Sequence, residues 1–224
     1  MTREEPSLKR KFSYLSNSSD DDVKKKRLDG EKVYFINYLE CCEKDIDELC
    51  LIFKKMDYEI IFLDKIGSYD EVKAQIDKDR SKIVFFFGFG FNDFLYLGDD
   101  IVSYEEFGKM FDLGSDKSNA IFTNVCIKQP PNEILRQKIT PGELTNACHL
   151  AVKVHGECDK KESPLSEALL YEFRKLDYLK EKNPLEFDYI ANKVSEFIGQ
   201  KKTKDKTYTV TWYYKYTDMF KFEM

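Results

Sequence analysis

The side chains of this sequence best suited to nucleophilic attack, proton transfer or metal binding are six cysteines, at 41, 42, 50, 126, 148 and 158, and two histidines, His149 and His155. Cys126 stands out because it directly follows the apolar run AIFTNV, residues 120–125, so that a strand there would offer a thiol at its carboxyl end. A thiol becomes an effective nucleophile when a base within hydrogen-bond reach takes its proton. The histidines are the candidates for that base, and His155, on the turn after a later strand, is the better placed. The competing reading is a thiol at a strand end with no catalytic partner. Cys148, His149, His155 and Cys158 together offer two soft and two borderline metal ligands, but not at a zinc-finger spacing. Cys148 and His149 would also point to opposite faces of a strand, so no metal is expected. Gly88-Phe89-Gly90 lacks both phosphate-loop patterns, and a tight strand-to-loop turn accounts for its glycines without a nucleotide cofactor. There is no CxxC, and adjacent Cys41 and Cys42 make a poor disulfide framework, so reduced thiols are the simpler reading.

Composition narrows the classes of partner. A net charge of −5 argues against wholesale nucleic-acid binding, which needs a basic face to neutralise phosphates. A content of 42% hydrophobic residues is enough for a core, but the longest apolar runs, such as Ile83 to Phe87, are far too short to cross a membrane. The opening MTREEPSLKRK has no apolar stretch and does not read as a secretory signal. Cytoplasmic or nuclear residence is expected.

The elements that must position these residues begin near residue 32. Residues 1–30 are rich in Ser, Lys and Asp, nearly free of aliphatics, and read as a disordered tail. Arg10-Lys11 and, after twelve residues, Lys24-Lys25-Lys26-Arg27 fit the two-cluster form of a nuclear localisation signal; the alternative is a solubilising charge run. Ser16, Ser18 and Ser19 precede three aspartates, as acidophilic kinase sites do. Beyond the tail, strands are expected at 33–38, 59–63, 82–87, 120–125, 146–154 and 207–216. Helices are expected at 43–56, 68–79, 104–111, 164–175 and 186–198. The first helix should bury Ile46, Leu49, Cys50 and Phe53, and the second should carry Val72, Gln75, Ile76 and Asp79 on one stripe. Apolar strands alternating with helices imply a mostly parallel central sheet with helices on both faces, a three-layer α/β sandwich. Pro130, Pro131, Pro141 and Gly142 mark a loop over 129–144.

Order and spacing then narrow the fold. The strand KIVFFF, then GFG, then FLYLGD, then IVSYEEFGKMF as a helix, then AIFTNVC, resembles the centre of a caspase large subunit. In that family the first strand of this series ends in Ser-His-Gly, a Tyr-Gly-x-Asp hairpin and a short helix follow, and the next strand ends in Gln-Ala-Cys-Arg-Gly. Val154-His155-Gly156 is similar to the family's Val-Pro-Gly turn, and Val210 to Phe222 resembles the small-subunit ending. The resemblance covers residues 31–224, with 31–128 large-subunit-like, 129–144 a linker and 145–224 small-subunit-like.

The departures from the family pattern carry the functional expectation. The resemblance puts Phe89 where the family has its catalytic histidine, and Cys126 where it has its nucleophile. Both are vestigial on this reading. Asn124 replaces the glutamine that helps line the pocket for a substrate aspartate, and Ile127-Lys128 replaces Arg-Gly. The loop that bears the first pocket arginine is missing between Tyr38 and Glu43, and Lys161 falls where the second is expected. A lysine there does not reproduce a bidentate grip on a carboxylate. General acid–base help contributes about 10²–10⁴-fold in rate, and each charged hydrogen bond to a buried carboxylate about 1.5–3 kcal/mol. The resemblance therefore implies a pseudo-caspase with no cofactor. Thirty tail residues are too few for a recruitment domain, so it would act by binding a caspase or itself, with an unusual cysteine hydrolase built on Cys126 and His155 as the alternative. The family's dimer strand matches Tyr208–Tyr216, in which Tyr208, Val210, Trp212, Tyr214 and Tyr216 share one face.

Overall fold

Runs of consecutive apolar residues bury both faces of a strand, and here they lie side by side in one sheet. The computed structural model describes residues 32–39, 42–63, 66–76, 82–111, 119–128, 147–156, 163–179, 185–201, 206–213 and 221–222. The chain divides into residues 1–30, all outside that set, and a unit spanning 31–224. The sequence readings that fall on the tail, the 129–144 loop, Cys41, Cys158, Lys161, Tyr214 and Tyr216 therefore lie outside the described residues.

In chain order the elements are β1 (Lys32–Asn37), α1 (Glu43–Lys55), β2 (Glu59–Phe62), α2 (Tyr69–Gln75), β3 (Lys82–Phe91), β4 (Phe94–Leu97), β5 (Asp100–Ser103) and α3 (Tyr104–Phe111). They continue with β6 (Asn119–Ile127), β7 (Ala147–His155), α4 (Pro164–Leu179), β8 (Leu185–Glu186), α5 (Phe187–Gly199), β9 (Thr207–Tyr213) and β10 (Lys221–Phe222). The sheet runs β2-β1-β3-β6-β7-β9, and the β4–β5 hairpin extends from β3. Neighbours pair in parallel as far as β7, and β9 closes the sheet antiparallel.

Alternation along each strand separates two cores. Phe35, Phe85, Phe122, Cys126 and Leu150 face α1, α4 and α5; Tyr34, Val84, Phe86, Ile121 and Val125 face α2 and α3. On the first face the register aligns Phe62, Phe35, Phe85, Phe122, Leu150 and Trp212 in one row across all six strands. Phe35 and Phe85 stack at 4.9 Å between ring centroids, and Phe85 and Phe122 at 5.1 Å. The mostly parallel, two-faced α/β sandwich expected from the sequence is the fold observed. The expected apolar stripe of α1, Ile46, Leu49, Cys50 and Phe53, is buried as well.

Some boundaries differ for physical reasons. The second helix stops at Gln75 because Ile76 turns extended to bury its side chain, while Gln75 itself is exposed. Gly88 and Gly90 do not end β3; the strand runs through them to Phe91. A Cβ at Gly90 would overlap the Phe94 carbonyl oxygen on the hairpin's return strand, which explains the missing side chain by close approach instead of a turn. The turn comes at Asn92, whose φ is 46°. Ile101, Val102 and Ser103 pair with β4 as β5, where a continuous helix was expected.

Candidate functional site at the ends of β3 and β6

Parallel pairing of β3 with β6 sets Phe89 directly beside Cys126, on the same face of the sheet. The two positions that the caspase pattern assigns to proton acceptor and nucleophile are thus adjacent, but one carries a benzene ring. Above that ring lies a cation: Lys128 Nζ is 3.3 Å from the Phe89 centroid, a favourable contact with the negative face of the ring. Its backbone N–H donates to the Gly90 carbonyl at 2.9 Å, continuing the β3–β6 ladder one residue beyond β6. Sequence reading took Lys128 only as part of the replacement for Arg-Gly; the signal that was missed is that it falls two strand positions beyond Cys126, Phe89's partner, and so on the same face.

Cys126 is 3% exposed and disulfide-bonded. Cys42, Cys50 and Cys148 are buried and not disulfide-bonded. The reduced-thiol expectation therefore holds for these three and is corrected at Cys126. A sulfur in a disulfide is not a nucleophile.

Neither histidine stands on Cys126's side of the sheet. Cys126 pairs with Val154, so His149 and His155, an odd number of residues away, project from the opposite face. His155 Nε2 lies 3.1 Å from Thr209 Oγ1 on β9, and His149 Nε2 lies 3.1 Å from Thr123 Oγ1 on β6. The Cys126–His155 dyad weighed from the sequence is thereby separated by the sheet itself. Burial, reinforced by the Lys153 ammonium, lowers the pKa of His149 to about 3, which keeps its ring neutral. Lys153 has a structural task that the sequence did not reveal. Its Nζ donates to the Asn92 carbonyl at 2.6 Å and to Asp93 Oδ1 at 3.2 Å, pinning the β3–β4 turn. Cys148 and His149 do face opposite ways, and among the described residues no group of three His, Cys, Asp or Glu side chains could hold a metal.

Asn124, read as a pocket position, is fully buried, and its Oδ1 accepts the Leu165 N–H at 3.4 Å. It braces the start of α4. There Ser163 Oγ accepts the Ser166 N–H at 3.2 Å and contacts the Ser166 hydroxyl at 2.6 Å. These contacts satisfy donors that a helix start otherwise leaves open. At the other end of the sheet, Tyr208 and Val210 of β9 pack on the first core while Trp212 is 36% exposed. Among the described residues no helix is long and apolar enough to cross a membrane.

No family model matches this chain, and no curated protein does. Among solved structures, caspase-1 from Spodoptera frugiperda is similar, with a TM-score of 0.53 and 13% identity over 81% of this chain and 85% of that one. Another, described as pro-sf-caspase-1, has a TM-score of 0.48 and 15% identity, covering 81% of this chain and 90% of that one. At the identity of the first match the likeness shows the fold alone, and that fold is caspase-like.

Proposed function

We propose that this caspase-like domain is a non-catalytic regulator that pairs, along the outer edge of β9, with a competent caspase or with a second copy of itself, and alters its partner's activity. The observation that carries the reading is the pairing of Phe89 with Cys126 at the strand ends, where the side chain beside the sulfur is a benzene ring that cannot accept a proton. The disulfide at Cys126 and the placement of both histidines on the opposite face support it further. Pairing is supported by β9, the last strand of the sheet, which bears an exposed Trp212. A seven-residue edge strand rich in β-branched and aromatic residues is an aggregation hazard when left uncovered.

Two measurements test the reading. Purified protein should not turn over Asp-ended fluorogenic peptides, and Phe89→His should not restore cleavage. Robust turnover by either would sink the non-catalytic part. Sedimentation velocity should show a dimer, alone or mixed with caspases. Trp212→Lys, which charges the exposed end of the aromatic row, and Thr211→Pro, which removes a mid-strand donor, should both abolish it. A wild-type chain that stays monomeric and binds no caspase at micromolar concentration would defeat the pairing part.

A further inference from the structure

We propose that the cleft between α5 and β9 is a binding site for a small molecule that carries one anionic group on an apolar body. The site does not depend on pairing along the outer edge of β9. The cleft has a volume of about 470 Å³ and lies where the last turn of α5 packs near the start of β9. That volume is in the range of pockets that hold small ligands.

Its apolar side is continuous with the core. Ile198, 3% exposed, belongs to the first core, and Val210 packs on that core from β9. Its polar side is made by the lysines Lys201 and Lys206 and the hydroxyl-bearing Ser195 and Tyr208. Among the described residues no acidic side chain lines the cleft. Lys201 is held in place from below: its ammonium pairs with Glu167 of α4 and lies 5.6 Å from the centroid of the Phe197 ring. An ammonium has three N–H donors, so one carboxylate does not use them all.

A helix end disfavours anions through its unpaired carbonyls. Here the Gln200 N–H donates to the Glu196 and Phe197 carbonyls at 3.3 Å, and the Lys201 N–H donates to the Ile198 carbonyl at 3.0 Å. With these carbonyls occupied, the lysines set the charge of the cleft. Positive groups beside an apolar surface select a ligand of matching halves. Its carboxylate, sulfonate or phosphate accepts charge-assisted bonds from the ammonium groups, and its apolar part covers Ile198 and Val210. Gly199 also lines the cleft, and nothing lies within 4 Å of the position its Cβ would take. A larger side chain there would occupy the ligand's space.

The test titrates 4-phenylbutyrate into the full-length protein labelled with nitrogen-15 and follows the amide signals of Gly199 and Val210. A Kd of about 1 mM or tighter is expected. The neutral 4-phenylbutanamide should bind about 10-fold more weakly, and Lys206→Gln should weaken binding of the acid by about the same factor. Gly199→Leu should abolish the shifts of Val210. Comparison of acid with amide uses the wild type alone, so it decides even where a variant fails to fold. Equal affinity for acid and amide, full affinity in folded Lys206→Gln or Gly199→Leu, or no shift at about 10 mM acid would each overturn the proposal.

Discussion

The two faces of the central sheet are made from alternate residues of the same strands, yet they are built differently. One face carries a row of rings in register, Phe62, Phe35, Phe85 and Phe122, continued by Leu150 and Trp212, and ends at Phe89, Cys126 and Lys128. The other is aliphatic near β1 and β3 but turns polar between β6 and β7, where Thr123, His149 and Lys153 lie under α3 and the β3–β4 turn. A strand that alternates strictly cannot bring a thiol and a histidine an odd step away together. The groups nearest to catalytic chemistry in composition are therefore divided by the sheet, and each face uses its share for packing or bracing.

The largest expected effect breaks the aromatic face at its centre. Phe85 is fully buried and stacks on Phe35 and Phe122, so Phe85→Ala should destabilise the fold by about 3–5 kcal/mol in urea unfolding. A loss below about 1 kcal/mol would mean that the ring row does not hold that face together.

The polar face is probed by pH. The folded chain keeps His149 neutral, with its pKa lowered to about 3 from the ordinary 6.5, while the unfolded chain binds a proton below that value. A base whose folded pKa is depressed leaves stability intact above about pH 6.5 and erodes it as pH falls from there toward 3. Between pH 7.5 and 5 the wild type should lose about 2 kcal/mol more than His149→Gln, which can still bond Thr123 but does not titrate. Equal losses in the two proteins would show that the ring is not held neutral by burial.

The smallest expected effect lies at the strand ends. Lys128→Met removes the cation over Phe89 and keeps the length of the side chain, so it should cost about 0.5–1 kcal/mol. No change at all would make that contact incidental.

Much of the fold was legible in the residues. The four buried residues of α1 could be read from helical spacing, and so could Tyr104–Phe111 as a helix, because an apolar stripe is a local property. The course of the chain after β3 was not. Glycine reads as punctuation when only neighbours in sequence are seen, but Gly90 is shaped by the Phe94 carbonyl brought against it by the hairpin. At the site, the identities of Phe89, Asn124 and Cys126 were plain, and the tasks of Lys153 and Asn124 were not, because their partners are 61 and 41 residues away.

By itself, then, the sequence determined which residue types occupy each strand: alternation and helical period are written in neighbouring residues, and no packing can give Phe89 a proton acceptor. Only the tertiary structure decided which of those residues meet. The register of β3, β6 and β7 set Phe89 against Cys126 and put both histidines on the far face. Register is settled by burial across strands distant in the chain, and a shift of one residue would have exchanged the two faces.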